Sequence, residues 1–247
     1  VTGGRDDPAR RAGVSAPAFH GRLRGVLFDA GNTLLWIDHE RVARLITEAG
    51  VAVSTEAARA AEMRARPRLD PLLGRAPKRE SPQVFLRHIA FVLDGLGVTG
   101  AAAERASEAI AAAWPTLWVR PPADAHDTLR RLRAQGYAVG CLSNSNGKVD
   151  RLLAGAGLLE LLDTVVDSGA VGVEKPDPRI FEIGAARLGL APAEIVYVGD
   201  LHALDVLGPR AAGMHAVLLD PLGAWEGFDA VRVPSLSAVP PLLGPPA

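Results

Sequence analysis

Cysteine is almost absent from this chain: Cys141 is the only one in 247 residues. One thiol excludes an intrachain disulfide framework and any site built from several cysteines, and it fits a reducing, cytoplasmic setting. Lysine is scarce too, with Lys78, Lys148 and Lys175 among 27 basic residues, so each lysine is worth following. Neither sign of charge is in excess, 27 Lys+Arg standing against 28 Asp+Glu. That balance gives no reason to expect a nucleic-acid surface, which needs lopsided or clustered charge. Long apolar runs are missing as well. The longest uncharged stretch, residues 233–247, carries five prolines, whereas a membrane helix needs about 20 mostly apolar residues without such breaks. No membrane partner is expected. Residues 1–20, rich in Gly, Pro and charge, lack the apolar centre of a secretory signal and read as a loose tail.

What is present is an alternation of periods. Arg24-Gly-Val-Leu-Phe-Asp29 is a short apolar run closed by Asp and then Gly31, the form of a buried strand. From Leu35 to Arg120 the pattern turns helical, with segments predicted near residues 39–49, 54–66, 81–93 and 99–113. Ser54 and Ser81 suit N-caps and Pro82 a first helical position. The stretch 66–80, with prolines 67, 71 and 77, reads as a loop. Beyond Pro121-Pro122, helices predicted at 124–135, 149–154, 179–188 and 205–212 alternate with strands at 137–143, 164–167, 195–200 and 215–220. Such alternation implies a parallel sheet covered on both faces. The expected architecture is α/β: a Rossmann-like core of residues 21–35 and 121–247, interrupted by a helical cap of residues 36–120.

Three predicted strands end in polar residues: Asp29, Ser143-Asn144 and Gly199-Asp200. In a parallel sheet these ends converge on one edge, where open α/β folds place their sites. Singly, each is as well explained by a turn or a helix cap. Together they point to a site. Asp200 and Asp205 offer carboxylates to a hard cation such as Mg2+, which prefers oxygen ligands. Ser143 and the Asn144 amide lie where a strand turns toward a helix, a place suited to hold phosphoryl oxygens. Lys175 precedes a proline and is thereby biased away from helix; its ammonium can neutralise both a phosphate and a nucleophile.

The motifs Phe28-Asp-Ala-Gly-Asn-Thr-Leu34, Leu142-Ser-Asn144, Glu174-Lys-Pro-Asp-Pro178 and Val198-Gly-Asp200 with Asp205 resemble, in this order, those of the haloacid dehalogenase-like superfamily of hydrolases. Lys175-Pro-Asp-Pro-Arg-Ile-Phe181 and Gly208-Pro-Arg-Ala-Ala-Gly-Met-His215 resemble a branch of its helical-cap members. The resemblance implies a magnesium-dependent phosphatase acting on a small phosphorylated compound through an aspartyl-phosphate. Asp29 is then the nucleophile, Ser143 and Lys175 act with it, and Thr33, Ser143, Asn144 and Lys175 hold the phosphoryl group. Asp29, the Gly31 carbonyl, Asp200 and Asp205 serve the metal.

Gly31 departs from the pattern. Most phosphatases of the superfamily carry there a second aspartate that protonates the leaving group, a role typically contributing about 10²–10⁴-fold. Four readings follow. The acid comes from elsewhere, with Asp38, His39 and Glu40 as candidates, or the substrate has a good leaving group, as an acyl phosphate does. A 2-haloacid dehalogenase needs no proton for its halide, but Asp200 and Asp205 would repel an anionic substrate. A phosphonoacetaldehyde hydrolase-like enzyme would need a Schiff-base lysine, for which Lys78 is the one candidate in the cap. A phosphate-binding module would have lost turnover. Trp36, Trp114 and Trp118 are candidates to line the cap–core crevice, and His88 reads as a packing residue of its helix.

Overall fold

The computed structural model describes residues 19, 22–73 and 82–245. Of the expected tail, only Phe19 falls among them, and Lys78 lies outside them.

Six strands form one parallel sheet: β1 (Gly25–Phe28), β4 (Ala138–Ser143), β5 (Thr164–Asp167), β6 (Ile195–Gly199), β7 (His215–Leu219) and β8 (Val231–Val233), in the order β5-β4-β1-β6-β7-β8. The chain leaves the central β1 toward β4 and β5, then returns past it to β6, β7 and β8. Phe28 is paired with Cys141 on one side and Val198 on the other. The order reverses at β1, and a crevice opens at the carboxyl ends of strands at such a reversal. This puts Asp29 between Ser143 and Asp200. Its amide extends the ladder by donating to the Val198 carbonyl at 2.8 Å.

Helices α5 (Ala125–Ala134), α6 (Val149–Gly155), α7 (Ser168–Val171), α8 (Pro178–Leu188), α9 (Gly208–Ala211) and α10 (Val239–Leu243) complete the sheet unit. Alternate residues of β1 enter different cores. Val26 and Phe28 pack with Leu129, Leu132 and Leu153, while Leu27 packs with Ile180, Phe181 and Tyr197. Burial on both faces is why these strands read as apolar runs and not as alternating ones. Cys141 lies fully buried in this sheet, and burial, followed by the nearby Asp29 carboxylate, pushes its thiol well above the usual range. It should therefore react with a disulfide reagent at pH 8 on the order of a hundredfold more slowly in the native than in the unfolded protein. Native labelling at the unfolded rate would disprove this burial.

Between β1 and α5 the chain forms a two-stranded antiparallel ribbon, β2 (Trp36–Ile37) with β3 (Trp118–Arg120), and four helices: α1 (His39–Glu48), α2 (Thr55–Leu73), α3 (Pro82–Gly95) and α4 (Gly100–Ala113). Neighbouring helices pack in sequence and α1 closes on α4. They keep an apolar cluster of their own, in which Ile46, Ile89, Leu93, Ala106 and Ile110 meet. Asp38, one of the acid candidates, caps α1 by accepting from the Arg41 amide at 3.1 Å.

Two expectations need correction. The loop expected to begin at residue 66 is helical as far as Leu73, because α2 runs through Pro67 and Pro71. Each proline removes one helical hydrogen bond; packing on α3 and polar contacts from Arg66 and Asp70 to the sheet unit override that loss. The helix expected at 205–212 is a π-helical turn, Ala203–Leu207, followed by the short α9. The sheet also gains β8, which the sequence pattern does not announce. No helix among the described residues is long and apolar enough to cross a membrane.

Candidate active site

The ends of β1 and β6 and the π-helical turn after β6 bring Asp29, Asp200 and Asp205 together: one carboxylate oxygen from each lies within 4.8 Å of the other two. All three are buried. Lys175, arriving from the loop before α8, inserts its ammonium among them. Its Nζ donates to Asp29 Oδ1 at 2.7 Å, Asp205 Oδ1 at 2.7 Å and the Tyr197 hydroxyl at 3.0 Å. Tyr197 in turn donates to the Leu142 carbonyl at 2.7 Å. Burial pulls the Lys175 pKa down, but Asp205 and Asp29 outweigh it and hold the ammonium well above the usual lysine value.

Asp205 is committed on both oxygens. Oδ1 holds Lys175, and Oδ2 accepts from the amides of Asp200 at 3.0 Å and Leu201 at 2.9 Å. It thus fixes both the lysine and the loop that carries Asp200. Only glycine fits beside it, since a Cβ on Gly199 would stand 2.3 Å from Asp205 Cγ. Asn144 is committed similarly: its side chain accepts from the Lys175 amide at 2.7 Å and donates to the Lys175 carbonyl at 3.0 Å. Ser143 is buried, its hydroxyl reaching no further than the Asn144 carbonyl at 3.5 Å. Thr33 is fully buried, and its hydroxyl has no hydrogen-bond partner among the described residues. Asn32, in the left-handed region at φ 53°, bends the loop that begins at Asp29.

Asp200 is different. It is 1% exposed, yet its Oδ2 makes no hydrogen bond among the described residues, and the Arg66 Nη1 stands 3.3 Å away. Burial raises its pKa well above the usual carboxylate value, an effect that Arg66 offsets only in part. Burial likewise lifts Asp29 to about 6 against the pull of Lys175. Among the described residues, four buried carboxylates, those of Asp29, Glu62, Asp200 and Asp205, face the two cations Lys175 and Arg66. An unsatisfied buried carboxylate amid an excess of negative charge fits a divalent cation bound through oxygen.

The insert contributes directly. On one face of α2, Glu62, Arg66 and Asp70 follow at intervals of four. Arg66 forks onto Glu62, Nε to Oε1 at 3.0 Å and Nη2 to Oε2 at 2.6 Å. Glu62 also accepts from Asn32 Nδ2 at 3.2 Å and is approached by His39 at 3.5 Å and His88 at 3.3 Å. Burial would raise its pKa, but Arg66 and the two histidines hold it well below the usual value. Asp70 Oδ1 accepts from the Ala203 amide at 2.6 Å. Over Gly31 lies the Trp118 ring: a Cβ at Gly31 would meet Cζ3 at 3.2 Å, with Asp29 Oδ2 at 3.8 Å. The indole therefore crowds the space into which a side chain at position 31 would project. The other acid candidates point elsewhere, Asp38 and Glu40 toward Arg120 and His39 toward Glu62. Trp114 packs on Phe85 and Trp118 inside the insert, and Trp36 lies under the Arg59 guanidinium.

A family model for haloacid dehalogenase-like hydrolases matches residues 23–213. The chain belongs to this family. It is 37% identical over 118 residues to haloacid dehalogenase-like hydrolase domain-containing protein 3 of Homo sapiens, covering 48% of this chain and 47% of that one. It is 39% identical over 130 residues to a phosphoserine phosphatase of Thermus thermophilus, covering 51% and 52%. The chain thus spans about half the length of the curated relatives it matches. Among solved structures, a dehalogenase with an intermediate complex superposes at a TM-score of 0.64 and 27% identity, covering 90% of this chain and 97% of that one.

Within this haloacid dehalogenase-like hydrolase, sequence reasoning finds Asp29, Lys175, Asp200 and Asp205 but misses Tyr197, Glu62, Arg66 and the placement of Trp118. It also reads His88 as simple packing, whereas the ring approaches Glu62. The spacing Glu62, Arg66, Asp70 is a visible signal once the helix is known to pass Pro67.

Proposed function

We propose that this hydrolase releases phosphate from a small phosphorylated compound by nucleophilic attack of Asp29. The observation that carries the reading is the buried Asp200 Oδ2 near Asp29, which accepts no hydrogen bond among the described residues. Asp29 Oδ2, the oxygen that Lys175 leaves free, attacks phosphorus; the ester or anhydride P–O bond breaks, and an aspartyl-phosphate forms on Asp29. Water then cleaves this acyl phosphate and regenerates the carboxylate. Lys175 holds Asp29 Oδ1 and lowers the repulsion between carboxylate and phosphoryl oxygens. Ser143 and the Asn144 amide border the site from β4, where donors suit phosphoryl oxygens. Asp29, the Gly31 carbonyl and Asp200 would hold Mg2+, with Asp205 orienting the Asp200 loop. When bound, the ion offsets the charge that develops on the transferring group. The helical insert serves as the cap, closing over the crevice and excluding water.

Gly31 has no side chain to protonate the leaving group, so substrates with leaving groups of low basicity, such as acyl phosphates, suit the site best. The test is phosphate release from acetyl phosphate and p-nitrophenyl phosphate with Mg2+ and with EDTA. Turnover with Mg2+ that EDTA abolishes is expected. No turnover of either at any pH from 5 to 9 would remove the reading and leave a binding module.

A second reading rests on Arg66. Its guanidinium partly neutralises Asp200 without any metal, and a halide leaves without a proton, so the site also suits a 2-haloacid dehalogenase. Chloride release from 2-chloropropionate in EDTA would favour it over the phosphatase.

A further inference from the structure

We infer that Arg66 and Glu62 are positioning residues that set the affinity of Asp200 for a divalent cation, Arg66 lowering it and Glu62 restoring it. The inference rests on reading the Asp29, Asp200 and Asp205 cluster as a cation site, and on three observations that do not depend on that reading. First, Arg66 is 1% exposed and permanently charged, and its Nη1 stands 3.3 Å from Asp200 Oδ2 without a directed hydrogen bond. The contact is one of charge. Second, the two other guanidinium nitrogens are forked on Glu62, so the net charge facing Asp200 depends on that carboxylate. Third, the guanidinium is not free to swing away. Glu62 is tied to Asn32 in the Asp29 loop, and one turn beyond Arg66, Asp70 holds the Ala203 amide and approaches the His202 ring at 3.4 Å.

A cation on Asp200 therefore binds against a fixed positive neighbour, and in a buried setting such repulsion is poorly screened. Removing Arg66 deletes the repulsion. Removing only the charge of Glu62 unmasks it. The two changes act in opposite directions, although both break the same ion pair, and a merely structural role would move both the same way.

The experiment is Mn2+ binding to the full chain at pH 7.5, followed by the loss of the free-ion paramagnetic resonance signal and by calorimetry. Wild type, Arg66→Gln, Glu62→Gln and the double variant are compared, each checked for native circular dichroism. Arg66→Gln is expected to bind about tenfold tighter and Glu62→Gln about tenfold weaker than wild type. The double variant, which leaves no buried charge unpaired on α2, is expected to bind tighter than wild type and replaces Arg66→Gln if that protein does not fold. Shifts in the same direction, or a double variant no tighter than wild type, would overturn the inference. Asp200→Asn separates the two levels. If it abolishes wild-type binding while Arg66→Gln and the double variant change nothing, the cation site stands and only the inference falls. If no variant binds Mn2+, both fall.

Discussion

Replacing Asp29 by Asn is expected to lower phosphate release from acetyl phosphate by on the order of a thousandfold or more, because an amide has no anionic oxygen to form the acyl phosphate. The fold should survive. Asn matches Asp in shape, and Lys175 keeps Asp205 and Tyr197 as partners. Stability should hold or rise. Burial lifts Asp29 from 3.8 to about 6, so the folded state binds the proton more tightly than the unfolded state does. Such a carboxylate costs stability as pH climbs through that interval, about 3 kcal/mol once both states are ionised. In EDTA at pH 8, the Asp29→Asn protein should therefore melt at or above the wild-type temperature. Turnover within tenfold of wild type would end the nucleophile assignment. A lower melting temperature would show that the Asp29–Lys175 pair outweighs the burial of the charge.

Lys175→Met should fail on both counts. The substitution keeps most of the side-chain length and removes the ammonium on which Asp29, Asp205 and Tyr197 converge. Two buried carboxylates then face each other, and breaking a buried pair from one side typically costs about 3–5 kcal/mol. For a chain of this size that corresponds to a fall in Tm of roughly 10 °C. Turnover should be lost as well, since the ammonium that holds Asp29 Oδ1 is gone. Adding Asp205→Asn should recover part of the melting temperature but none of the activity, because the second change removes a stranded charge without restoring the ammonium. A Lys175→Met protein as stable as wild type would mean that the three contacts are not formed in solution.

Asp29, Ser143 and Asp200 were legible in the sequence because each ends a short apolar run, and parallel strands of similar length bring their ends to one edge. Lys175 was legible through rarity, being one of three lysines. Arg66 was hidden by the opposite circumstance. It lies among Arg59, Arg64 and Arg68, and only tertiary packing distinguishes the one that turns inward. The prolines at 67 and 71 concealed it further, since local chemistry argues for a break where packing on α3 sustains a helix. The seat of Trp118 beside Gly31 joins positions 87 residues apart, a separation that no local periodicity reports. The strand β8 is three residues long and half-buried except at Val233, too short to show a period.

The separation of the apolar clusters has a consequence for how such a molecule can change. Ile46, Ile89 and Ile110 pack within the insert, and Phe28, Cys141 and Val198 pack on the sheet in a separate cluster. Substitutions in well-separated clusters add independently. If the insert selects the substrate, as proposed, it can vary through many sequences while Asp29 and Lys175 keep their geometry. On the proposed reading, selectivity and reactivity would be inherited separately, joined where α2 meets the loop of Asp200.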